Sequence, residues 1–190
     1  MKLFPLSLPV AGSPALRFGP SLLLGCLLLA ASPAWSQTVL ENAALLGMSR
    51  QDLAPALPDA RPVSAPRRLS SGAAGLLRVA DTVCEGEHFE QTLYFSHQTL
   101  QQMDLVLRNP ASGAGAQEAV SEIQAGLMQA LRARLGPELA AFGAAPGAIA
   151  QTASWVSGGA DVMLFRSGRP DHPTLRMVIR QRQLVDASAL

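Results

Sequence analysis

A stretch with helical spacing lies between two groups of segments that alternate apolar and polar residues, and this order constrains the fold most. Over residues 117–135 apolar side chains recur every three or four positions, and Gly136-Pro137, a helix-ending pair, follows. The flanking segments alternate with a period of two, as strands with one apolar face do. Such a sheet needs a cover, so the chain is predicted to be an α+β protein with helices packed on one face of an antiparallel sheet.

The alternating pattern predicts six strands in two groups of three. The predicted strands are 76–80, 88–95, 100–107, 154–156, 161–166 and 175–181. In 88–95 the residues Phe89, Leu93 and Phe95 face inward with Gln91 as the polar exception. The breaks between the strands carry turn residues, among them Gly158-Gly159, so each group is predicted to be a meander.

A second, shorter helix is predicted ahead of the first meander. Ser49 is a favourable N-cap, and Asp52 at the third helical position approximates a capping box. Pro55 and Pro58 limit the helix to about two turns that end near Leu57. Each half, about 41–108 and 116–182, therefore has a helix, a loop and a meander, an order that suggests two helix-plus-meander repeats within one domain of residues 37–190.

The first 36 residues have the three-part layout of a secretory signal peptide. Lys2 and Arg17 precede an apolar core over 21–31, and Ala34-Trp35-Ser36 presents the small residues that a signal peptidase recognises. Cleavage is predicted between Ser36 and Gln37, which gives a periplasmic or secreted protein. The core is shorter than the roughly 20 residues of a transmembrane helix. An uncleaved anchor is one alternative, and lipidation of Cys26 within a Leu-Leu-Gly-Cys sequence is another.

Export changes the composition from which partners are inferred. The predicted mature chain has 154 residues with 13 arginines, no lysine and 14 acidic residues, so its net charge is about −1. A basic nucleic-acid-binding protein is thereby excluded. Cys84 is the only cysteine in that chain, and an internal disulfide cannot form. The expected partner is another periplasmic or envelope protein, with no stable transmembrane segment in the mature chain.

Two local clusters, residues 84–90 and Asp171-His172, contain side chains of reactive types. Residues 84–90 hold a thiol, three carboxylates and an imidazole, all zinc-ligand types, but a turn followed by a strand divides them between two faces. Cys84 could be a reactive thiol, although its acidic neighbours favour an inert, partly buried one. Asp171-His172 could be half of a catalytic triad, yet the chain has no Gly-x-Ser-x-Gly sequence and no phosphate-binding glycine loop. The prediction is no metal, no cofactor and no enzymatic activity.

Four residues are predicted to contact a partner. Arg176, Arg180 and Arg182 alternate on one face of the last strand and could meet an anionic partner, a lipid headgroup or a cell-wall polymer. The alternative is an ordinary solvent face that discourages edge pairing. Trp155 could be a binding hot spot, or it could pack against the covering helix near Leu127 or Leu131.

The sequence Leu-Gly-Met-Ser-Arg-Gln-Asp-Leu over 46–53, followed by a proline-terminated turn, resembles the opening of the small envelope lipoproteins called SmpA or BamE and of the related β-lactamase-inhibitor-protein fold. The resemblance implies a short helix on an antiparallel sheet and a periplasmic protein-binding module without an active site. The chain departs from these families in its weak lipidation sequence, and the structural disulfides of the inhibitor fold cannot form with Cys84 alone.

The sequence therefore predicts a non-enzymatic periplasmic protein-binding or scaffold module. An immunity protein against an exported toxin is a narrower alternative. A small hydrolase that uses Asp171, His172 or the acidic segment 85–90 is the third.

Overall fold

The computed structural model describes residues 36–139 and 152–183. The predicted leader up to residue 35, Cys26 within it, and most of the predicted linker over 138–153 lie outside the described residues.

The described part of the chain forms three helices and eight strands. In chain order they are β1 (Ser36–Gln37), α1 (Val39–Ala44), α2 (Arg50–Leu53), β2 (Arg61–Pro62), β3 (Ala74–Cys84), β4 (Glu87–Ser96), β5 (Thr99–Leu107), α3 (Ala116–Leu135), β6 (Thr152–Ser157), β7 (Ala160–Arg169) and β8 (His172–Gln181). All six predicted strands are present, and α3 begins one residue before its predicted start.

The eight strands form one sheet in the order β1-β3-β4-β5-β8-β7-β6, with β2 also paired to β3. Every pairing is antiparallel except that of β1 with β3. β3–β5 and β6–β8 are two meanders that meet where β5 pairs with β8. The predicted α+β fold with an antiparallel sheet is confirmed. The internal repeat stays a prediction.

One face of the sheet carries the hydrophobic core, and the helices cover it. α3 contacts β6 and β8, while α1 contacts β8. Phe89, Leu93 and Phe95 are buried on this face, and so is Gln91, as the alternation predicted. Each fully buried side chain of this size contributes about 1.5–3 kcal/mol to the free energy of folding. The opposite face, which we call the open sheet face, has no helix on it in the described part of the chain.

The stripe of α3 faces the sheet with one polar interruption. Val120, Leu127 and Leu131 are buried as predicted, but the fully buried Gln124 was not foreseen. Gly136 ends the helix with φ +84°. The Trp155 indole Nε1 donates to the Gly136 carbonyl oxygen at 3.2 Å, which ties the C-terminal end of α3 to β6.

The N-terminal helices differ from the prediction. Ser49 is the N-cap of α2, and its side chain accepts from the Asp52 backbone N–H, but α2 ends at Leu53 instead of near Leu57. The prolines shorten the regular helix, and a turn carries the chain on until the Leu57 N–H donates to the Leu53 carbonyl at 2.9 Å. α1 was not predicted, although Thr38 and Glu41 form a complete capping box at its start.

The connection between β7 and β8 is a tight hairpin rather than the predicted loop with Gly168, Pro170 and Pro173. The ladder continues to the pair Arg169–His172, so that only Pro170 and Asp171 lie in the turn. Gly168 makes this possible because its φ is +97° and a Cβ there would lie 2.4 Å from the His172 carbonyl oxygen. The prolines therefore mark a turn and a strand start, not a long loop.

Candidate functional site

An apolar groove of about 820 Å³ lies between α2, the segment that follows it, and the strands β3 and β4. Leu53, Leu57 and Phe95 are its buried floor, and Leu76 and Leu77 of β3 are half-buried in its wall. The remaining lining residues are Ser49, Arg50, Gln51, Ala54, Pro58, Ala60, Pro62 and Gln98. Its volume falls within the range of about 300–1,000 Å³ that is typical of ligand sites. We call this feature the α2 groove.

Backbone contacts fix the position of both sides of the α2 groove. Ser49 forms an isolated bridge with Thr99, which fixes the start of α2 beside the β4–β5 turn. On the other side, Pro62 of β2 pairs with Leu77 of β3, and the Val63 N–H donates to the Leu76 carbonyl at 3.0 Å. The segment between α2 and β2 is therefore fixed at both of its ends, by the Ser49–Thr99 bridge before α2 and by the pairing of β2 with β3.

The arginines around the α2 groove lack carboxylate partners. The segment from Arg50 to Arg68 contains four arginines and two aspartates. Within the described residues none of these four forms an ion pair, whereas seven of the nine other arginines do. Arg61 instead donates to the carbonyls of Pro58 and Ala60 at 3.0 and 3.3 Å. Of the four, Arg50 lines the groove and Arg61 contacts two of its lining residues, so these two place positive charge without an ion-pair partner at the groove.

Two of the predicted partner-binding arginines lie on the open sheet face and are ion-paired. Arg176 pairs with Asp104 of β5, whose side chain is 7% exposed, and Arg180 pairs with Asp161 of β7 at 3.2 Å. Their positive charge is therefore largely neutralised within the chain. Arg182 lies just beyond β8, is exposed, and forms no ion pair in the described part of the chain.

Asp104 is the centre of a wider network on this face. Its carboxylate also accepts from the Gln102 side-chain amide at 2.8 Å. Tyr94 is hydrogen-bonded to Asp104, and burial together with that carboxylate raises the pKa of the tyrosine hydroxyl. The Tyr94 ring packs over Gly75, where a Cβ would lie 3.1 Å from a ring carbon. The open sheet face is thus held together by its own side chains.

Trp155 does not belong to either surface. Its side chain is 1% exposed, and its indole nitrogen is hydrogen-bonded to the end of α3. The hot-spot interpretation is corrected on this point, because a side chain so deeply buried in the core presents nothing to a partner. Its position under the covering helix matches the alternative considered from the sequence.

Within the acidic segment 84–90, Glu85 has a structural role and is not part of a solvated turn. Glu85 lies in the β3–β4 turn, yet its side chain is only 2% exposed. One carboxylate oxygen accepts from the Val39 backbone N–H at 2.9 Å and the other from Arg134 Nε at 2.7 Å. Glu85 therefore joins the turn to the start of α1 and to the last turn of α3.

Cys84 is buried at the end of β3 beside a polar network in the core. Burial raises the pKa of its thiol to about 12. The Asn42 side-chain amide donates to Cys84 Sγ at 3.8 Å and to the Thr38 carbonyl at 3.2 Å. Both Asn42 amide protons are used in this way, and its side-chain oxygen accepts from Gln91 Nε2 at 2.8 Å. The thiol is protonated at neutral pH, which does not suit a nucleophile.

The histidines are dispersed, and no metal-binding group forms within residues 36–139 and 152–183. His88 Nδ1 lies 2.9 Å from Asp81 Oδ1, and this contact, together with Arg108, lowers the pKa of Asp81. His172 lies 3.5 Å from Asp171 in the β7–β8 hairpin, where both side chains are more than half exposed. Asp171 also accepts from Arg169, so this pair is part of the turn.

Sequence reasoning missed the α2 groove. Ser49 predicts the start of a short helix and Pro55 and Pro58 its end, but the wall formed by Leu76 and Leu77 depends on packing between distant segments. The run of four arginines between residues 50 and 68 was the available signal, because so few carboxylates accompany it.

Comparisons with models of protein families, with curated proteins and with solved structures found no match to the chain. The resemblance to the SmpA or BamE lipoproteins and to the inhibitor fold therefore stays a prediction. Across the described ranges, no helix combines the length and the apolar character that crossing a membrane requires.

Proposed function

We propose that the chain is an exported, non-enzymatic protein-binding module and that it binds its partner through the α2 groove. The observation that carries the proposal is that one surface feature combines an apolar floor, half-buried aliphatic walls and Arg50, an arginine that forms no ion pair in the described residues. Protein interfaces characteristically join an apolar centre to a polar or charged rim. The ion-paired arginines of the open sheet face offer less, because a partner would have to compete with the carboxylates already bound there.

Export to the periplasm is part of the proposal. Cleavage between Ser36 and Gln37 would divide the two-residue β1 but leave the Thr38–Glu41 capping box and every later element within the mature chain. N-terminal sequencing of the protein from the periplasmic fraction tests this part. A mature chain that starts at Gln37 is expected, whereas a lipid-modified N-terminus at Cys26 or an uncleaved chain would contradict it.

Site-specific photocrosslinking in the native host tests the binding site. Ala54, an exposed residue in the groove wall, is replaced by benzoylphenylalanine, and Val106, 39% exposed on the open sheet face, serves as the matched control position. One envelope protein crosslinked at position 54 and absent at 106, and bound by the purified chain in equimolar amount, is expected. No protein adduct at position 54 would overturn the proposal, and adducts at 106 alone would move the site to the open sheet face.

A further inference from the structure

The α2 groove is lined by aliphatic side chains and one arginine, and a second arginine lies beside it. Arg50 lines the end beside Gln98 and the β4–β5 turn. Arg61 does not line the groove itself, but its guanidinium donates to the carbonyls of Pro58 and Ala60, two lining residues, and therefore lies beside the groove. The strand register separates Arg61 from Phe95 of the groove floor, because Phe95 is opposite Ala74 while Arg61 is opposite Arg78, four residues further along β3.

The edge of β3 that borders the groove is occupied by β2, a strand of only two residues. The outer edge of β3 is already paired along the groove wall, because Pro62 faces Leu77 and the Val63 N–H is bonded to the Leu76 carbonyl. An extended segment binds by adding a strand to a free edge, whereas an amphipathic helix binds by placing its aliphatic side chains in a groove. The α2 groove therefore suits recognition through side chains.

The charge beside the groove selects the kind of helix. The segment from Arg50 to Arg68 carries a net charge of +2, and its two carboxylates do not neutralise the arginines. Asp52 accepts from the Ser49 hydroxyl at 2.7 Å, and Asp59 forms no ion pair in the described part of the chain. Acidic residues on a partner would find the guanidinium group of Arg50 in the groove wall and that of Arg61 beside it, neither of them paired with a carboxylate in the described residues.

We propose that the α2 groove binds an amphipathic helix of an envelope protein, with aliphatic residues at helical spacing against Leu53, Leu57 and Leu76 and with acidic residues that meet Arg50 and Arg61. This proposal rests on the proposed function and specifies the partner surface. A lipid chain with an anionic headgroup is the competing occupant, and the test separates the two.

The test begins with the partner segment that crosslinks to position 54. That segment is synthesised as a peptide, and its binding to the purified mature chain is measured by titration calorimetry and by circular dichroism. Arg50→Glu is compared with Arg169→Glu, a control because Arg169 is also highly exposed, at 74%, but lies at the β7–β8 hairpin and not among the residues that line the groove. Thermal unfolding of both variants verifies that they remain folded.

The expected result is that the peptide becomes helical on binding, that Arg50→Glu weakens binding by about ten-fold or more, and that Arg169→Glu leaves it unchanged. A peptide in which the facing acidic residue is changed to arginine should restore the affinity of the Arg50→Glu variant. A peptide that binds without becoming helical, or equal effects of the two variants, would overturn this proposal while the protein-binding function remained. Adducts at position 54 with lipid alone would overturn both.

Discussion

The arginines of the open sheet face and the arginines between residues 50 and 68 differ in what they contact. Arg78, Arg176 and Arg180 each pair with a carboxylate on a neighbouring strand, so the open sheet face neutralises its own charge. Arg50 and Arg61 have no carboxylate partner in the described part of the chain. The contrast indicates that the first set stabilises the sheet and that the second set is available to another molecule.

Among substitutions that test this contrast, Asp104→Ala is expected to lower the free energy of unfolding most. The substitution leaves Arg176 without its counter-ion and removes acceptors from Gln102 and Tyr94 at a site that is almost fully buried. We expect the free energy of unfolding to fall by about 3 kcal/mol, at the low end for a broken buried pair because Arg176 itself is 41% exposed. Urea denaturation of the purified protein measures this. A loss below about 0.5 kcal/mol would contradict a structural role for the pair.

This pair also illustrates what the sequence could and could not predict. The alternation of apolar residues predicts the strands and α3 closely, because burial of one face dictates the pattern. Arg176 and Asp104, however, are 72 residues apart and meet only because β5 pairs with β8 at the centre of the sheet. The alternation placed Arg176 on the solvent-facing side of its strand but could not identify its counter-ion.

The parts of the fold that sequence analysis missed are short or depend on distant contacts. α1 has only six residues, and Glu85 from a turn 46 residues further along the chain binds its first N–H. The α2 groove likewise depends on a wall of β3 that comes after a segment with no periodicity. The Thr38–Glu41 capping box was a local signal that could have been used; the packing of Leu76 and Leu77 beside α2 was not visible in any local pattern.

A second, smaller loss of stability is expected at alkaline pH. It arises from Cys84 and Tyr94, which lie in the sheet, and not from the segment between Arg50 and Arg68. Burial raises the pKa of Cys84 from 9.0 to about 12 and also raises that of Tyr94. The folded state therefore keeps protons that the unfolded state releases, so stability is complete below pH 9 and is lost as pH rises through the folded pKa values. From Cys84 alone we expect a loss of about 2 kcal/mol near pH 10.5.

The pH series is measured by urea denaturation of the wild-type protein and of Cys84→Ala. The variant should lose less stability than the wild type between pH 9 and pH 11, although it starts lower because of the small cavity it leaves. Parallel pH profiles for the two proteins would show that the thiol does not contribute. The segment from Arg50 to Arg68 contains no cysteine, histidine or tyrosine, so this titration leaves its charge unchanged.

A third prediction concerns the Arg180–Asp161 pair on the open sheet face, which is more exposed than the pair of Arg176 with Asp104. Arg180 is half exposed and contacts Asp161 at 3.2 Å, a geometry in which water screens the charges. Arg180→Ala should lower the free energy of unfolding by about 0.5 kcal/mol, much less than Asp104→Ala. A double-mutant cycle with Asp161→Ala isolates the pair energy. A coupling as large as that of Arg176 with Asp104 would mean that burial does not decide the strength of these pairs.

The smallest effect on stability is expected from Arg50→Ala, and it is the one that separates the two sets of arginines. Arg50 is exposed and forms no ion pair in the described residues, so its loss should change the free energy of unfolding by less than about 0.5 kcal/mol. Its guanidinium lines the α2 groove, so the same substitution should weaken partner binding measurably. Asp104→Ala should do the reverse whenever the protein is kept under conditions in which it remains folded. If instead Arg50→Ala destabilised the fold and left binding intact, Arg50 would belong with the structural arginines, and the positive charge beside the groove would have no role in recognition.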